Sequence, residues 1–201
     1  MIIVFEGIDG AGTETQSKKL FSFLKSKGLK VFYFDYPNYK KPIGRTIKEI
    51  LYSKEKVSAL AKALLFISDF ALNLNEVKEK AKEGIVILDR YFISTLVYQT
   101  IEGLELEKIV EILKIVDIPK IDIVFYLDVS PEISFQRKVK EKGKDLDENE
   151  KNLELLRKVR EKYKEVSKMD LGFWKEWYTI DGEKTIEEVF EEIKKIIDEK
   201  I

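Results

Sequence analysis

The segment Phe5-Glu6-Gly7-Ile8-Asp9-Gly10-Ala11-Gly12-Thr13-Glu14-Thr15-Gln16 concentrates the residues of this chain best suited to chemistry. Three glycines in six residues, set between an apolar run and the first amphipathic stretch, let consecutive backbone N–H groups curl inward. The helix start that follows adds unpaired amides and the positive end of its dipole. Such a turn holds a polyphosphate, and Gly7 to Gly12 keeps the spacing of the first part of the pattern Gly-x-x-x-x-Gly-Lys-Ser/Thr. The second part departs from it. Thr13 stands where a lysine reaches the β- and γ-phosphates, and Glu14 stands where a hydroxyl meets magnesium. A tight turn without any ligand needs the same glycines, so the rest of the chain must decide between the two.

Two further segments carry charge suited to phosphate chemistry. Asp89-Arg90 follows the apolar run Ile85–Leu88, where an arginine can clamp phosphate with two parallel N–H bonds and an aspartate can hold magnesium through water. Arg137–Lys144 carries five positive charges and one negative, and Asp145–Glu150 carries four acidic groups. The pair reads either as a solvated helix end or as a basic lid over phosphates.

The chain has 201 residues, 44% hydrophobic and 36% charged, which suits a single globular domain over 1–201. Thirty-six basic against 37 acidic residues give a net charge of −1, which argues against wrapping nucleic acid or an anionic membrane. With no Cys and no His, disulfides, Cys/His zinc sites, thiolate nucleophiles and histidine acid–base chemistry are excluded. No apolar run approaches the ~18 residues of a membrane span, and no basic leader opens the chain, so a cytoplasmic protein is expected. Of the basic residues 31 are Lys and five are Arg, and this Lys/Glu bias resembles that of proteins that work hot.

Short apolar runs alternate with longer amphipathic stretches. Ile2–Phe5, Val31–Phe34, Ile85–Leu88, Ile123–Leu127 and Trp177–Ile180 read as strands. Thr15–Lys27, stopped by Gly28, the long segment Val57–Lys82, and Thr185–Lys200 read as helical. The alternation predicts an α/β domain with a mostly parallel sheet, its functional residues just past the carboxyl ends of the strands.

With these pieces in order, the chain resembles the thymidylate kinases, a branch of the P-loop nucleoside-monophosphate kinases. The resemblance rests on the loop at 7–15 with Asp9, on Tyr36-Pro37-Asn38-Tyr39 with Ile43-Gly44, and on Leu64-Leu65-Phe66 and Asp89-Arg90-Tyr91. It extends through Ile121–Asp128 with Pro131-Glu132 and Arg137, Leu146-Asp147 and Glu150, Arg160 with Tyr163, and Ile180-Asp181. The resemblance implies a P-loop kinase fold with a five-stranded parallel sheet in the order 2-3-1-4-5, flanked by helices, with a monophosphate segment at 36–45 and a lid at about 137–150. It implies transfer of a phosphoryl group from ATP to dTMP with Mg²⁺, in line, without a covalent intermediate. Arg90 would bridge the two phosphates, with Asp9, Asp89 and Arg137 as further catalytic residues. Gly7, Ile8, Asp9, Gly10, Ala11, Gly12, Thr13, Glu14, Thr15 and Asp181 would bind ATP. Asp9, Tyr39, Phe66, Arg90, Tyr91 and Ser94 would bind dTMP, Phe66 stacking on the base and Tyr91 leaving no room for a 2′-hydroxyl. The family usually pairs two chains, and the apolar faces of Val57–Leu74 and Tyr91–Ile101 are where a homodimer is expected.

Three cations that the resemblance leads one to expect are replaced, by Thr13, Tyr39 and Glu148. Lys40, Lys41, Arg45, Arg137 and the lysines at 138, 140, 142 and 144 are the candidates to replace them, with Glu14 and Asp89 as magnesium ligands. Two other readings stay open: a catalytically silent or weak nucleotide-binding paralogue, and a kinase for a different deoxynucleotide.

Overall fold

The computed structural model describes residues 1–53, 55–142 and 152–201. Five strands, β1 (Ile2–Gly7), β2 (Val31–Asp35), β3 (Ile85–Asp89), β4 (Ile121–Asp128) and β5 (Trp174–Asp181), pair in parallel in the order β2-β3-β1-β4-β5. This is the expected α/β architecture and strand order. The helices are α1 (Thr13–Ser26), α2 (Pro42–Tyr52), α3 (Ala59–Ala71), α4 (Leu74–Glu83), α5 (Phe92–Ile101), α6 (Leu106–Val116), α7 (Pro131–Lys142), α8 (Leu153–Val166) and α9 (Ile186–Asp198). Strands covered on both faces need unbroken apolar runs. Accordingly every residue of β1 and β3 is buried, and β4 is buried except at Asp122 and Asp128.

Element ends differ from the sequence expectation for local reasons. α1 begins two residues early because Gly12, at φ 95°, turns the loop directly into the helix. The segment 57–82 is two helices that meet at Leu72 and Asn73, where no Gly or Pro announces a break. β4 and β5 reach further at both ends than their apolar cores. α9 starts after Thr185, whose side chain accepts the Glu188 N–H in a reciprocal capping box. Arg137–Lys142 is the end of α7, and the rest of the expected lid, 143–150, lies outside the described residues. Among the described residues no helix is long and apolar enough to cross a membrane.

One expected dimer face is corrected. On α5, Phe92, Ile93, Leu96 and Val97 are fully buried within this chain, because that helix lies over the sheet and under α3 and α8. On α3, Leu60 and Leu64 stay exposed.

The topology decides where the site falls. The chain leaves β1 toward β2 on one side and leaves β3 toward β4 on the other, so a crevice opens between their carboxyl ends. The register sets Phe5 beside Asp89 and Asp89 beside Asp35, and aspartates end four of the five strands: Asp35, Asp89, Asp128 and Asp181.

Candidate active site

At that crevice lies a cavity of ≈ 810 Å³. It brings together Asp9, Gly10, Gly12, Thr13, Glu14 and Thr15 of the loop, Tyr39, Phe66, Asp89, Arg90, Tyr91 and Ser94, and Arg137 of α7. Four expected residues do not reach its wall. Gly7, Ile8 and Ala11 are buried behind the loop, where their job is to shape the backbone. Asp181 is exposed at the end of β5, and its carboxylate accepts the Glu183 N–H at 3.1 Å.

Arg90 is the hub. Its backbone sits at φ 61°, a conformation that costs a non-glycine residue about 1–2 kcal/mol. The Arg90 N–H donates to the Phe5 carbonyl at 2.9 Å and holds that turn on β1. The guanidinium donates to the Gly7 carbonyl (2.9 Å), the Asp9 carboxylate (2.7 Å) and the Ser94 hydroxyl (3.3 Å). Three of its five N–H donors are thus engaged, and two are left for a ligand. Tyr98 donates to the other Asp9 oxygen at 3.1 Å.

Beneath Arg90 lies Glu6, which has no exposed surface and which the sequence shows only as the acid closing an apolar strand. It accepts the Tyr91 N–H (2.9 Å), the Ser94 hydroxyl (2.6 Å) and the Tyr163 hydroxyl (2.9 Å). Burial pushes its pKa up to about 7, while Ser94, Arg90, Tyr163 and the Tyr91 amide work the other way. Ser94 therefore braces the clamp as well as lining the cavity. Arg160, expected near the site with Tyr163, is turned to Asp128, to which its Nε and Nη2 donate at 2.5 and 3.1 Å.

Asp89 offers one carboxylate oxygen that is buried without a hydrogen-bond partner, on a residue lining the cavity. Its other oxygen accepts from the Tyr33 hydroxyl at 3.4 Å. Burial raises its pKa, and the Arg90 charge and the nearby Thr13 hydroxyl oppose that. An orphaned carboxylate oxygen beside a phosphate loop fits a hard divalent cation. Mg²⁺ is usually held by one or two carboxylates plus substrate phosphates rather than by a protein cage. In keeping with that, no three acidic residues converge as a metal site among the described residues. Glu14, the other expected ligand, also lines the cavity, and its carboxylate is ion-paired to Lys18 four residues on.

On the opposite wall the segment after β2 is pinned. Asn38 N–H donates to the buried Asp69 carboxylate at 2.8 Å, and Gly44 packs so close that a Cβ there would lie 2.0 Å from the Asn38 carbonyl oxygen. Phe66 lines this end. Tyr91 is 1% exposed and wedged among Tyr36, Phe70 and Phe92. It forms floor, whereas Tyr98 places its hydroxyl beside Asp9. Sequence reasoning missed Tyr98, although its i+4 spacing from Ser94 puts both on one helix face.

The replacement cations divide clearly. Arg137 and Lys138 line the cavity, and Lys40, Lys41, Arg45 and Lys140 do not. Arg137 donates to the Gly182 carbonyl at 2.9 Å, joining α7 to the turn after β5. The Lys142 side chain and Lys144 lie outside the described residues, as do Leu146, Asp147, Glu148 and Glu150. Three lining lysines were not expected: Lys18, Lys48 and Lys62. Lys62 pairs with Glu102 at 2.8 Å, and the Lys48 ammonium lies 5.9 Å from the Tyr39 ring centre.

Comparison with known proteins points one way. A family model described as Thymidylate kinase matches residues 5–193. A probable thymidylate kinase of Methanococcus aeolicus is 39% identical, the match covering 99% of this chain and 97% of that protein. A thymidylate kinase of Caldicellulosiruptor saccharolyticus is 38% identical, covering 98% and 95%. A probable thymidylate kinase of Pyrococcus abyssi is 34% identical, covering 97% and 94%.

Proposed function

We infer, from the premise that this chain belongs to the thymidylate kinase family, that it is an enzyme that phosphorylates dTMP to dTDP. ATP is the donor we propose. The observation that carries the reading is Arg90, strained, braced through Ser94 by Glu6, and lining, with two N–H donors uncommitted, a cavity bounded by the phosphate loop.

Phosphoryl transfer needs alignment and charge neutralisation more than covalent help. In our reading the amides around Gly10, Gly12 and Thr13 take the donor phosphates, and Arg90 bridges them to the acceptor phosphate. Asp9 meets the acceptor sugar with Tyr98 beside it, so we assign exclusion of a 2′-hydroxyl to Tyr98 in place of Tyr91. Phe66 faces the base, and the pinned 38–44 segment with Tyr39 closes around the monophosphate. Asp89, with Glu14 near, would hold Mg²⁺, which supplies charge neutralisation across the donor phosphates. We also propose that two copies pair through the exposed Leu60 and Leu64 of α3, and that the protein works in the cytoplasm.

A coupled assay of ADP release with dTMP, dUMP, UMP and dCMP as acceptors tests this. We expect turnover with dTMP and at least tenfold less kcat/KM with UMP. Calorimetric uptake of both nucleotides without turnover would select the silent-paralogue reading instead. Equal use of UMP would remove the role given to Tyr98.

A further inference from the structure

The loop from Gly7 to Thr15 has no cation of its own, and Glu14 adds a negative charge at the head of α1. Two lysines from outside the loop reach the same wall. Lys18 lies one turn along α1, and helical side chains tilt toward the N-terminus, so its ammonium ends level with Glu14 and pairs with it. That pair cancels the extra acid and leaves the loop's own deficit untouched.

Lys138 is mounted differently. It lies one turn past Ser134 on α7, and the Ser134 hydroxyl donates to the Asp9 carbonyl, so this face of α7 is fastened to the loop. The contact is close enough to require glycine. Gly10 has φ +80°, and a Cβ there would lie 2.7 Å from the Ser134 carbonyl oxygen and 3.2 Å from Lys138 Cγ. The Lys138 stem therefore lies across the loop, its side chain only 18% exposed, and its ammonium is 2.9 Å from Glu141 at the cavity wall.

We propose that Lys138 is the cation that replaces the missing loop lysine, its ammonium exchanging Glu141 for phosphate oxygens when the donor nucleotide fills the loop. This rests on the reading of that loop as the donor site. An i,i+3 pair with an exposed acid contributes little, so Glu141 competes only weakly with phosphate oxygens for this ammonium. A lysine suits the task because it acts as a point charge on a flexible stem, whatever element carries it.

The test uses the full chain as wild type, Lys138→Met, Lys138→Arg and Lys18→Met. Uptake of ADP with Mg²⁺ is read by calorimetry, donor and acceptor KM by steady-state assay, and fold by thermal melting. Methionine keeps the stem that packs on Gly10 and removes only the charge. Lys138→Met should weaken ADP binding and raise the donor KM at least tenfold, with the acceptor KM within twofold and the melting temperature nearly unchanged. Lys138→Arg should recover most of the loss, and Lys18→Met should cost less than threefold. Equal ADP uptake by wild type and Lys138→Met, or a larger loss in Lys18→Met, overturns the proposal alone. Failure of the wild type to take up ADP overturns the donor-site reading and this proposal together.

Discussion

Arg90→Ala is expected to lower the turnover of dTMP by about a thousandfold or more, since an arginine acting on transferring phosphoryl groups is worth ~10³–10⁵ in rate. The loss should appear in kcat at saturating concentrations of both nucleotides. The guanidinium is held by Gly7, Asp9 and Ser94 before any ligand arrives, so it requires little reorganisation during transfer. The fold should survive, because the bond that fastens this turn to β1 is the residue-90 backbone N–H to Phe5, which alanine keeps. Arg90→Lys should recover only a minor part of the rate, because an ammonium cannot reproduce the planar fork that grips Asp9 while keeping donors for phosphate. A loss below tenfold in Arg90→Ala, measured by the coupled assay, is incompatible with the clamp.

Glu6 should make the stability of the fold depend on pH between about 5 and 8. Its folded pKa, pushed up to about 7 by burial, lies above the ordinary value of 4.5, so between these values the folded chain binds more protons than the unfolded one. The contribution of neutral Glu6 is therefore fully present below about pH 4.5 and is lost as pH rises through about 7. A shift of this size corresponds to about 3 kcal/mol. Glu6→Gln keeps an acceptor for the Tyr91 amide and a polar group for Ser94 and Tyr163, and it cannot ionise. Urea unfolding at pH 5 and pH 8 should show the wild type losing roughly 2–3 kcal/mol relative to Glu6→Gln over that interval. Glu6→Ala should lose about 3 kcal/mol even at pH 5, through a void and an orphaned buried amide. Parallel curves for wild type and Glu6→Gln would mean that Glu6 does not titrate in this range.

The strands and the loop were legible in the sequence because each leaves a local trace. Doubly covered parallel strands are unbroken apolar runs, Gly10 and Gly12 hold positive φ, and a Cβ on Gly7 would lie 2.7 Å from that of Ala11. Asp89-Arg90 was legible for the same reason, as charge at the end of such a run. Glu6 was not, since one acid at the end of β1 shows neither its burial nor the hydroxyl of Tyr163, 157 residues away, that meets it. Tyr91 and Tyr98 are alike as residue types, and only the packing of Tyr36 and Phe70 tells floor from wall. Lys138 could be named only as one lysine among several, because its distinction is the contact between α7 and Gly10. The break at Leu72 and Asn73 in the segment 57–82 is marked only by Asn73, a residue type that favours helix starts over helix interiors.

Asp35 and Asp89 end neighbouring strands at the same register, and Glu14 heads the helix beside them, so three carboxylates line one wall of the cavity with Lys18 among them. The same cavity is also lined by Arg90, Arg137 and Lys138, so anionic and cationic groups share it. A polyanion entering the cavity therefore meets both signs of charge, which favours one orientation of entry over its reverse.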